Sequence, residues 1–208
     1  MTTLKFWRVN PSVTLPKHQT EGSACFDLAF QGYGKNVVKG FSSMNKPVDR
    51  IMTDSITISP GDRMMIPTGL IMDIPSGYSV RLHARSGTSL KQGLVLANAE
   101  GVIDSDYVEE VFILLHNISS NAQTIRFGDR IAQAELVKNE QYNIEESASR
   151  PSVKSSRIGG MGSTGITEQG NMLTLNIPER MSMIETTQNE SPVKRGPGRP
   201  KKNAGSSS

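Results

Sequence analysis

Apolar and polar positions alternate in short runs from about residue 55 to residue 140, and turn residues separate the runs. In the run SVRLHARS, Val80, Leu82 and Ala84 fall on one face, whereas three basic side chains ending with Arg85 fall on the other. A period of two residues is typical of a strand with one packed face and one free face. The pattern therefore predicts an all-β region in which the free faces can carry chemistry.

Turn chemistry and proline positions support the same prediction. The runs SPGDRMMIPTGL and RFGDRIAQAEL each place a Gly-Asp turn directly before an apolar strand. Pro60, Pro67 and Pro75 argue against long helices. The run VFILLHN is apolar at successive positions, so we expect the core to cover one face and another subunit to cover the second.

Two segments interrupt this regular pattern. Residues 31–54 are mixed and turn-rich, and we interpret them as an inserted loop or a hairpin excursion. From residue 166 to residue 208 apolar periodicity is weak, which predicts a largely disordered tail. The exception within the tail is NMLTLNIPERMSMI, which either docks on the protein or remains a tethered segment.

Composition sets further bounds. A chain of 208 residues is long enough for one well-buried domain with accessory segments. The single cysteine, Cys25, excludes internal disulfides and cysteine-based zinc clusters, and we expect it to be a small buried residue. No apolar stretch approaches the length of a membrane span, and the first residues lack the design of a secretion signal. We therefore expect a soluble intracellular protein.

Two stretches carry candidate chemistry, and each has a plain alternative. LANAEGVIDSDYVEEV holds a tight acid cluster that either supplies turn residues or provides a base for a water molecule. RIGGMGSTG, residues 157–165, has four glycines after an arginine. It is either a phosphate cradle or a flexible joint, and it lacks the Gly-Lys-Ser/Thr ending of a nucleoside-triphosphate P-loop.

Five segments taken in order resemble the five motifs of the trimeric deoxyuridine triphosphatases (dUTPases). They are EGSACFDLAF, ARSGTSL, GVIDSDY, FGDRIAQ and RIGGMGSTG, and the resemblance spans about residues 5–165. It implies a jelly-roll (β-clip) body for residues 1–165 and a homotrimer whose active sites lie at subunit interfaces. It also implies a mobile C-terminal arm at residues 150–165 that closes over a site on neighbouring chains. The implied reaction is hydrolysis of dUTP to dUMP and pyrophosphate with Mg²⁺, which limits uracil incorporation into DNA and supplies dUMP for dTTP synthesis.

The same resemblance assigns residue roles. Asp104 matches the carboxylate that activates the attacking water, and Asp27 matches the carboxylate that binds magnesium through water. Tyr107 matches the ring under the deoxyribose, and Asn98 matches the residue that lines the uracil pocket. The remaining substrate-binding residues are Arg85, Ser86, Gly87, Gly101, Gln133, Arg157, Met161, Gly162, Ser163 and Thr164.

Each role has an alternative on the residues alone. Asp27 can be a helper at a strand end, Arg85 a surface ion-pair residue and Tyr107 a core residue. The chain also departs from the family pattern, because Met161 stands where a phenylalanine usually stacks on uracil. The insertion at 31–54 has no counterpart in the minimal enzyme.

The tail contains a basic segment, residues 192–202, with five Lys or Arg residues and no acid. Its core, KRGPGRPKK, resembles an AT-hook, in which the arginine of Gly-Arg-Pro enters the minor groove of A·T-rich DNA. The alternative is a solvated basic tail or a localisation signal. The residues that would contact DNA are Lys194, Arg195, Arg199, Lys201 and Lys202.

Two other functions stay open at the level of sequence. One is a non-catalytic DNA-binding or regulatory protein on a dUTPase-like scaffold. The other is a dCTP deaminase, for which the sequence offers no glutamate-centred motif.

Overall fold

A computed structural model describes residues 2–34 and 36–155. The chain divides into two compact units, Met1–Glu145 and Glu146–Ser208. Among the described residues, all regular secondary structure lies in the first unit. No helix in this described part is long and apolar enough to cross a membrane.

Twelve strands and one helix follow one another along the described residues of the first unit. They are β1 (Lys5–Arg8), β2 (Phe26–Ala29), β3 (Val37–Phe41), β4 (Pro47–Ile51), β5 (Ser55–Ile58), β6 (Arg63–Asp73), β7 (Tyr78–His83), α1 (Ser86–Gln92), β8 (Leu94–Leu96), β9 (Gly101–Ile103), β10 (Glu110–Asn117), β11 (Gln123–Arg126) and β12 (Arg130–Lys138).

The strands form three antiparallel sheets around one core. The largest has the order β4-β3-β6-β10-β8, with β1 also paired to β6, and the second has the order β2-β12-β7-β9. Strands β11 and β5 form a two-stranded sheet. Buried side chains from all three sheets, among them Leu28, Ile66, Val80, Ile113 and Ile125, belong to a single apolar cluster. The all-β prediction is therefore confirmed.

Both Gly-Asp turns precede a strand, as the sequence predicts. Gly61 (φ 76°) and Gly128 (φ 89°) adopt left-handed backbone angles just before β6 and β12. A residue with a side chain would be strained at these backbone angles, so glycine forms each turn at the lowest conformational free energy.

Residues 31–54 contain a β-hairpin, the second of the two interpretations. Strands β3 and β4 pair along their length, and Gly40 continues the pairing onto Met64 of β6. Arg50 of β4 binds the nearly buried carboxylate of Asp62, with Nη2 and Oδ2 2.9 Å apart. The hairpin thus extends the largest sheet and is tied to the turn that precedes β6.

Strand β10 carries the run that is apolar at successive positions. Val111, Ile113 and Leu115 are buried in the core, whereas 39% of Leu114 on the other face is exposed in the single chain. Cover of this second face by another subunit stays a prediction.

Two local expectations were wrong. The alternation of SVRLHARS ends at His83, because Arg85 lies beyond the strand as the N-cap of the short helix α1. Cys25 is only half-buried, because it lies just before β2 and lines a surface concavity.

Candidate functional site

Asp27 and Gln133 face each other across neighbouring strands of the second sheet. Asp27 of β2 pairs with Gln133 of β12, which in turn pairs with His83 of β7. The Gln133 amide donates from Nε2 to the Ala84 carbonyl at 3.0 Å. This bond ties β12 to the segment that leads into α1, so both polar side chains have fixed positions.

The Asp27 carboxylate is held by two arginines. Arg85 donates from Nε to Oδ1 at 2.8 Å, and Arg130 donates from Nη1 to Oδ2 at 2.9 Å. Arg85 also donates from Nη1 to the Arg130 carbonyl at 2.9 Å. The Asp27 side chain is 12% exposed, so two positive charges and one negative charge are grouped in a partly shielded place. This group carries a net positive charge and favours an anionic ligand.

Arg85 is the N-cap residue of α1, but its side chain makes no hydrogen bond to that helix. Its guanidinium faces Asp27 instead. Ser86 and Gly87, in the first turn of α1, are exposed. Together with Asp27 they border a concavity of about 360 Å³, which we call the Asp27 concavity. Its lining residues are Gln19, Ser23, Ala24, Cys25, Asp27, Arg85, Ser86, Gly87, Arg130 and Gln133.

Five predicted site residues therefore come together, and the structure adds others that sequence reasoning missed. Arg130 lies in the run FGDRIAQ, and its positive charge directly before an apolar strand is the signal by which it could have been found. Gln19 and Ser23 lie in irregular chain before β2 and give no periodic signal.

Burial, with the carboxylates of Glu135 and Asp27, raises the pKa of the Cys25 thiol, which therefore resists ionisation inside this concavity.

Asp104 lies at a different end of the second sheet. It follows β9, is exposed, and borders a concavity of about 340 Å³ together with Ser79, Arg81 and Tyr142. The Tyr107 backbone N–H donates to the Asp104 carbonyl at 3.2 Å. A tight turn thus keeps the two predicted residues close.

Tyr107 is not a core residue in the single chain. Its side chain is held by a hydrogen bond from the hydroxyl to the Glu110 carbonyl at 3.0 Å, while 39% of the residue stays exposed. Gly101 has a packing reason at the start of β9, because a Cβ there would come within 2.8 Å of the Leu82 side chain.

Asn98 lies in the turn that joins β8 to β9, at the edge of a third and larger concavity of about 570 Å³. The hairpin supplies one wall of this concavity through Phe41 and Pro47, and β10 contributes Leu114. Its surroundings are mainly apolar, which suits the flat face of a nucleobase better than a phosphate group.

The register of the second sheet separates Asp27 from Asp104. Through Gln133 of β12, Asp27 lies at the level of His83 on β7. Ile103 of β9 pairs with Val80 of β7, so the next residue, Asp104, lies at the level of Ser79. Three strand spacings across the sheet and four residues along it give a separation of roughly 20 Å. Within one chain, Asp104 and the two arginines that hold Asp27 therefore lie at opposite ends of this sheet.

The predicted arm residues lie outside the described part of the chain. This holds for Arg157, Met161, Gly162, Ser163 and Thr164, and for the basic-tail residues Lys194, Arg195, Arg199, Lys201 and Lys202. Within residues 2–34 and 36–155, no three His, Cys, Asp or Glu side chains group closely enough to hold a metal ion.

Comparison with known proteins adds an independent observation. The family model described as dUTPase matches residues 49–165, more than half of the chain. The deoxyuridine 5′-triphosphate nucleotidohydrolase of Caulobacter vibrioides is 36% identical over 78% of this chain and 92% of its own length. That of Brucella melitensis is 40% identical over 73% of this chain and 84% of its own.

A solved structure agrees in fold. The dUTPase of Staphylococcus bacteriophage 80alpha with dUPNHPP has a TM-score of 0.62 and 22% identity. The similarity covers 80% of this chain and all of that one.

Proposed function

The chain belongs to the dUTPase family, and from this premise we propose how its residues hydrolyse dUTP to dUMP and pyrophosphate. The observation that carries the proposal is the Asp27 concavity, in which Arg85, Arg130 and Gln133 surround one fixed carboxylate. Guanidinium and amide donors in a partly shielded place bind phosphate oxygens strongly. The triphosphate therefore lies against this concavity.

Asp104 is the general base of this proposal. Its carboxylate accepts a proton from a water molecule while the water oxygen forms a bond to the α-phosphorus. The bond from the α-phosphorus to the bridging oxygen breaks, and pyrophosphate leaves. Donors from Arg85 and Gln133 stabilise the negative charge that develops on the phosphate oxygens.

One active site needs at least two chains. Because Asp27 and Asp104 are separated by roughly 20 Å within one chain, the base of one chain serves phosphates bound to its neighbour. A closed ring of three identical chains repeats this contact at every interface. The exposed outer face of β10, around Leu114, is available for such packing.

Recognition of the nucleoside falls to the Asp104 side of the site. Asn98 offers both a donor and an acceptor to the edge of uracil, and Gly101 lets the backbone run close to β7 beside it. The partly exposed Tyr107 ring, fixed by its hydroxyl, lies under the deoxyribose and excludes a 2′-hydroxyl. A site built on such bonds rejects bases that leave them unpaired.

Magnesium fits these residues as an ion that arrives with the substrate. Mg²⁺ bound mainly by phosphates keeps several waters, and a single carboxylate is enough to orient them. Asp27 offers about four lone-pair sites, of which the two arginines use one on each oxygen, so it can hold such a water. When bound, the ion neutralises charge on the triphosphate.

One assay tests the reaction and its selectivity. Purified protein with Mg²⁺ is expected to release pyrophosphate from dUTP with a kcat/KM at least about 10²-fold above that for dTTP, dCTP or UTP. An intact oligomer without turnover would favour a non-catalytic regulatory protein. Release of ammonia from dCTP would favour a deaminase.

The glycine-rich arm, residues 157–165, is proposed to close over the substrate through Arg157, Gly162, Ser163 and Thr164. Met161→Phe is expected to lower the KM for dUTP about threefold, because an aromatic ring stacks on uracil and a thioether does not. Initial-rate kinetics check this result. An unchanged or raised KM would mean that the arm does not cover the base.

The basic segment 192–202 is proposed to bind A·T-rich DNA. Its three lysines and two arginines support contacts that depend on phosphate charge and on a narrow minor groove. Deleting residues 192–202 is expected to abolish salt-sensitive binding to an A·T-rich duplex and to leave dUTP turnover unchanged. If the variant without residues 192–202 bound the duplex equally well by fluorescence anisotropy, the segment would have no role in DNA binding.

A further inference from the structure

The turn that carries Asn98 has a strained backbone. Ala99 has a φ of 60°, in the left-handed region that favours glycine, and the Glu100 N–H donates to the Asn98 carbonyl at 2.6 Å. A hydrogen bond between residues two apart with a positive central φ is the arrangement of the γ-turn that is rare in proteins. Such a conformation persists only where its surroundings hold it in place.

Glu100 provides a hold on this turn from the sheet. Its Oε2 lies 3.5 Å from Nη1 of Arg81, and its Oε1 lies 3.7 Å from Nδ1 of His83. Both partners are on β7, the strand with which β9 pairs, and their side chains are about one-third exposed. The carboxylate therefore reaches two neighbouring side chains on one face of a rigid strand.

The histidine is itself fixed from the opposite side. Its Nε2 lies 3.1 Å from Oε1 of Glu135 on β12, the strand that also carries Gln133. With one ring nitrogen directed to Glu135 and the other to Glu100, His83 cannot turn away without losing a contact. The ring thus lies between the two carboxylates, with the shorter contact to Glu135.

The geometry points to Glu100, with Arg81 and His83, as the positioning group for Asn98, so that selectivity for uracil depends on a carboxylate that does not touch the substrate. This inference rests on the proposed role of Asn98 at the base. An isolated surface ion pair contributes little to stability, so the effect falls on the placement of the turn and not on the fold. A displacement of about 1 Å is enough to weaken a directional hydrogen bond to a base edge.

Glu100→Gln in the full chain is expected to raise the KM for dUTP about 5- to 20-fold and to leave kcat within about twofold, because it loosens binding and not the chemical step. The preference for dUTP over dCTP is expected to fall by a similar factor. The melting temperature and the oligomeric state are expected to stay as in the wild type. Glu145→Gln, the same change at an exposed glutamate away from Arg81 and His83, is the matched control and is expected to leave all five quantities unchanged.

A second variant separates placement of the turn from a simple charge effect. Ala99→Gly removes the cost of the left-handed backbone at the centre of the turn. Added to Glu100→Gln, it is expected to restore part of the KM, since a turn without strain needs less support. Arg81→Ala is expected to raise the KM as Glu100→Gln does, and the double variant Arg81→Ala with Glu100→Gln to add little.

An unchanged KM and an unchanged preference in Glu100→Gln, with wild-type turnover of dUTP intact, would overturn the inference and leave the proposed function standing. A fall in kcat at constant KM would also overturn it. Absence of turnover in the wild-type protein would instead contradict the proposed function.

Discussion

Asp104→Asn is expected to lower kcat for dUTP by about 10²- to 10⁴-fold, the range that a positioned general base contributes. Asparagine has nearly the same shape as aspartate but accepts no proton from the attacking water. Asp104 is exposed after β9, so the substitution leaves the core and the strand pairing unchanged. Single-turnover measurements of pyrophosphate release check the result.

The variant is expected to keep its circular dichroism, its melting temperature and its affinity for a non-hydrolysable dUTP analogue. Asp73→Asn is the matched control, because Asp73 is an aspartate in a surface ion pair with Lys5 at the end of β6. It is expected to leave turnover at the wild-type level. Retained turnover in Asp104→Asn would sink the assignment of the base.

Arg85→Gln is expected to lower kcat/KM for dUTP by about 10²- to 10³-fold, as loss of one donor to a developing charge does. The Asp27 carboxylate keeps its bond from Arg130, so the concavity retains one of its two ion pairs.

Mixing chains of Arg85→Gln with chains of Asp104→Asn is then expected to recover activity, although each variant alone is nearly inactive. In a ring of three chains that contains both variants, about one third of the interfaces join an intact Asp104 to an intact Arg85.

The mixture is prepared by co-expression with two different affinity tags and purification over both columns. A mixture of Asp104→Asn with Asp104→Ala is the control, and it is expected to stay inactive because every site lacks the same carboxylate. If Asp104 and Arg85 worked within one chain, no combination of the two dead variants would regain activity. That result would refute the shared site.

The hairpin at residues 37–51 illustrates a limit of local patterns. Its sequence of polar and apolar residues is irregular because the edge strand β4 is largely exposed, as the 80% exposure of Ile51 indicates. Its attachment to the sheet depends on Gly40, whose missing side chain lets β3 approach the Arg63 carbonyl. That contact joins residues far apart in sequence and leaves no periodic trace.

Local patterns in the sequence are sufficient to predict the strand-rich body, the two Gly-Asp turns and the residue types of the site. These features follow from short-range rules, since alternation, turn chemistry and motif spacing depend on residues within about a dozen positions of one another. The same local rules left Arg130 unnoticed and set Arg85 on a strand.

The grouping of the candidate residues depends on the three-dimensional arrangement of the strands. The pairing of β12 with both β2 and β7 brings Asp27, Arg85, Arg130 and Gln133 together from three separate parts of the chain. The register of the same sheet sets Asp104 at its far end, and this separation is the basis for proposing a site shared between two chains. Strand order and register are set by packing over the whole chain, so no local pattern of residues contains them.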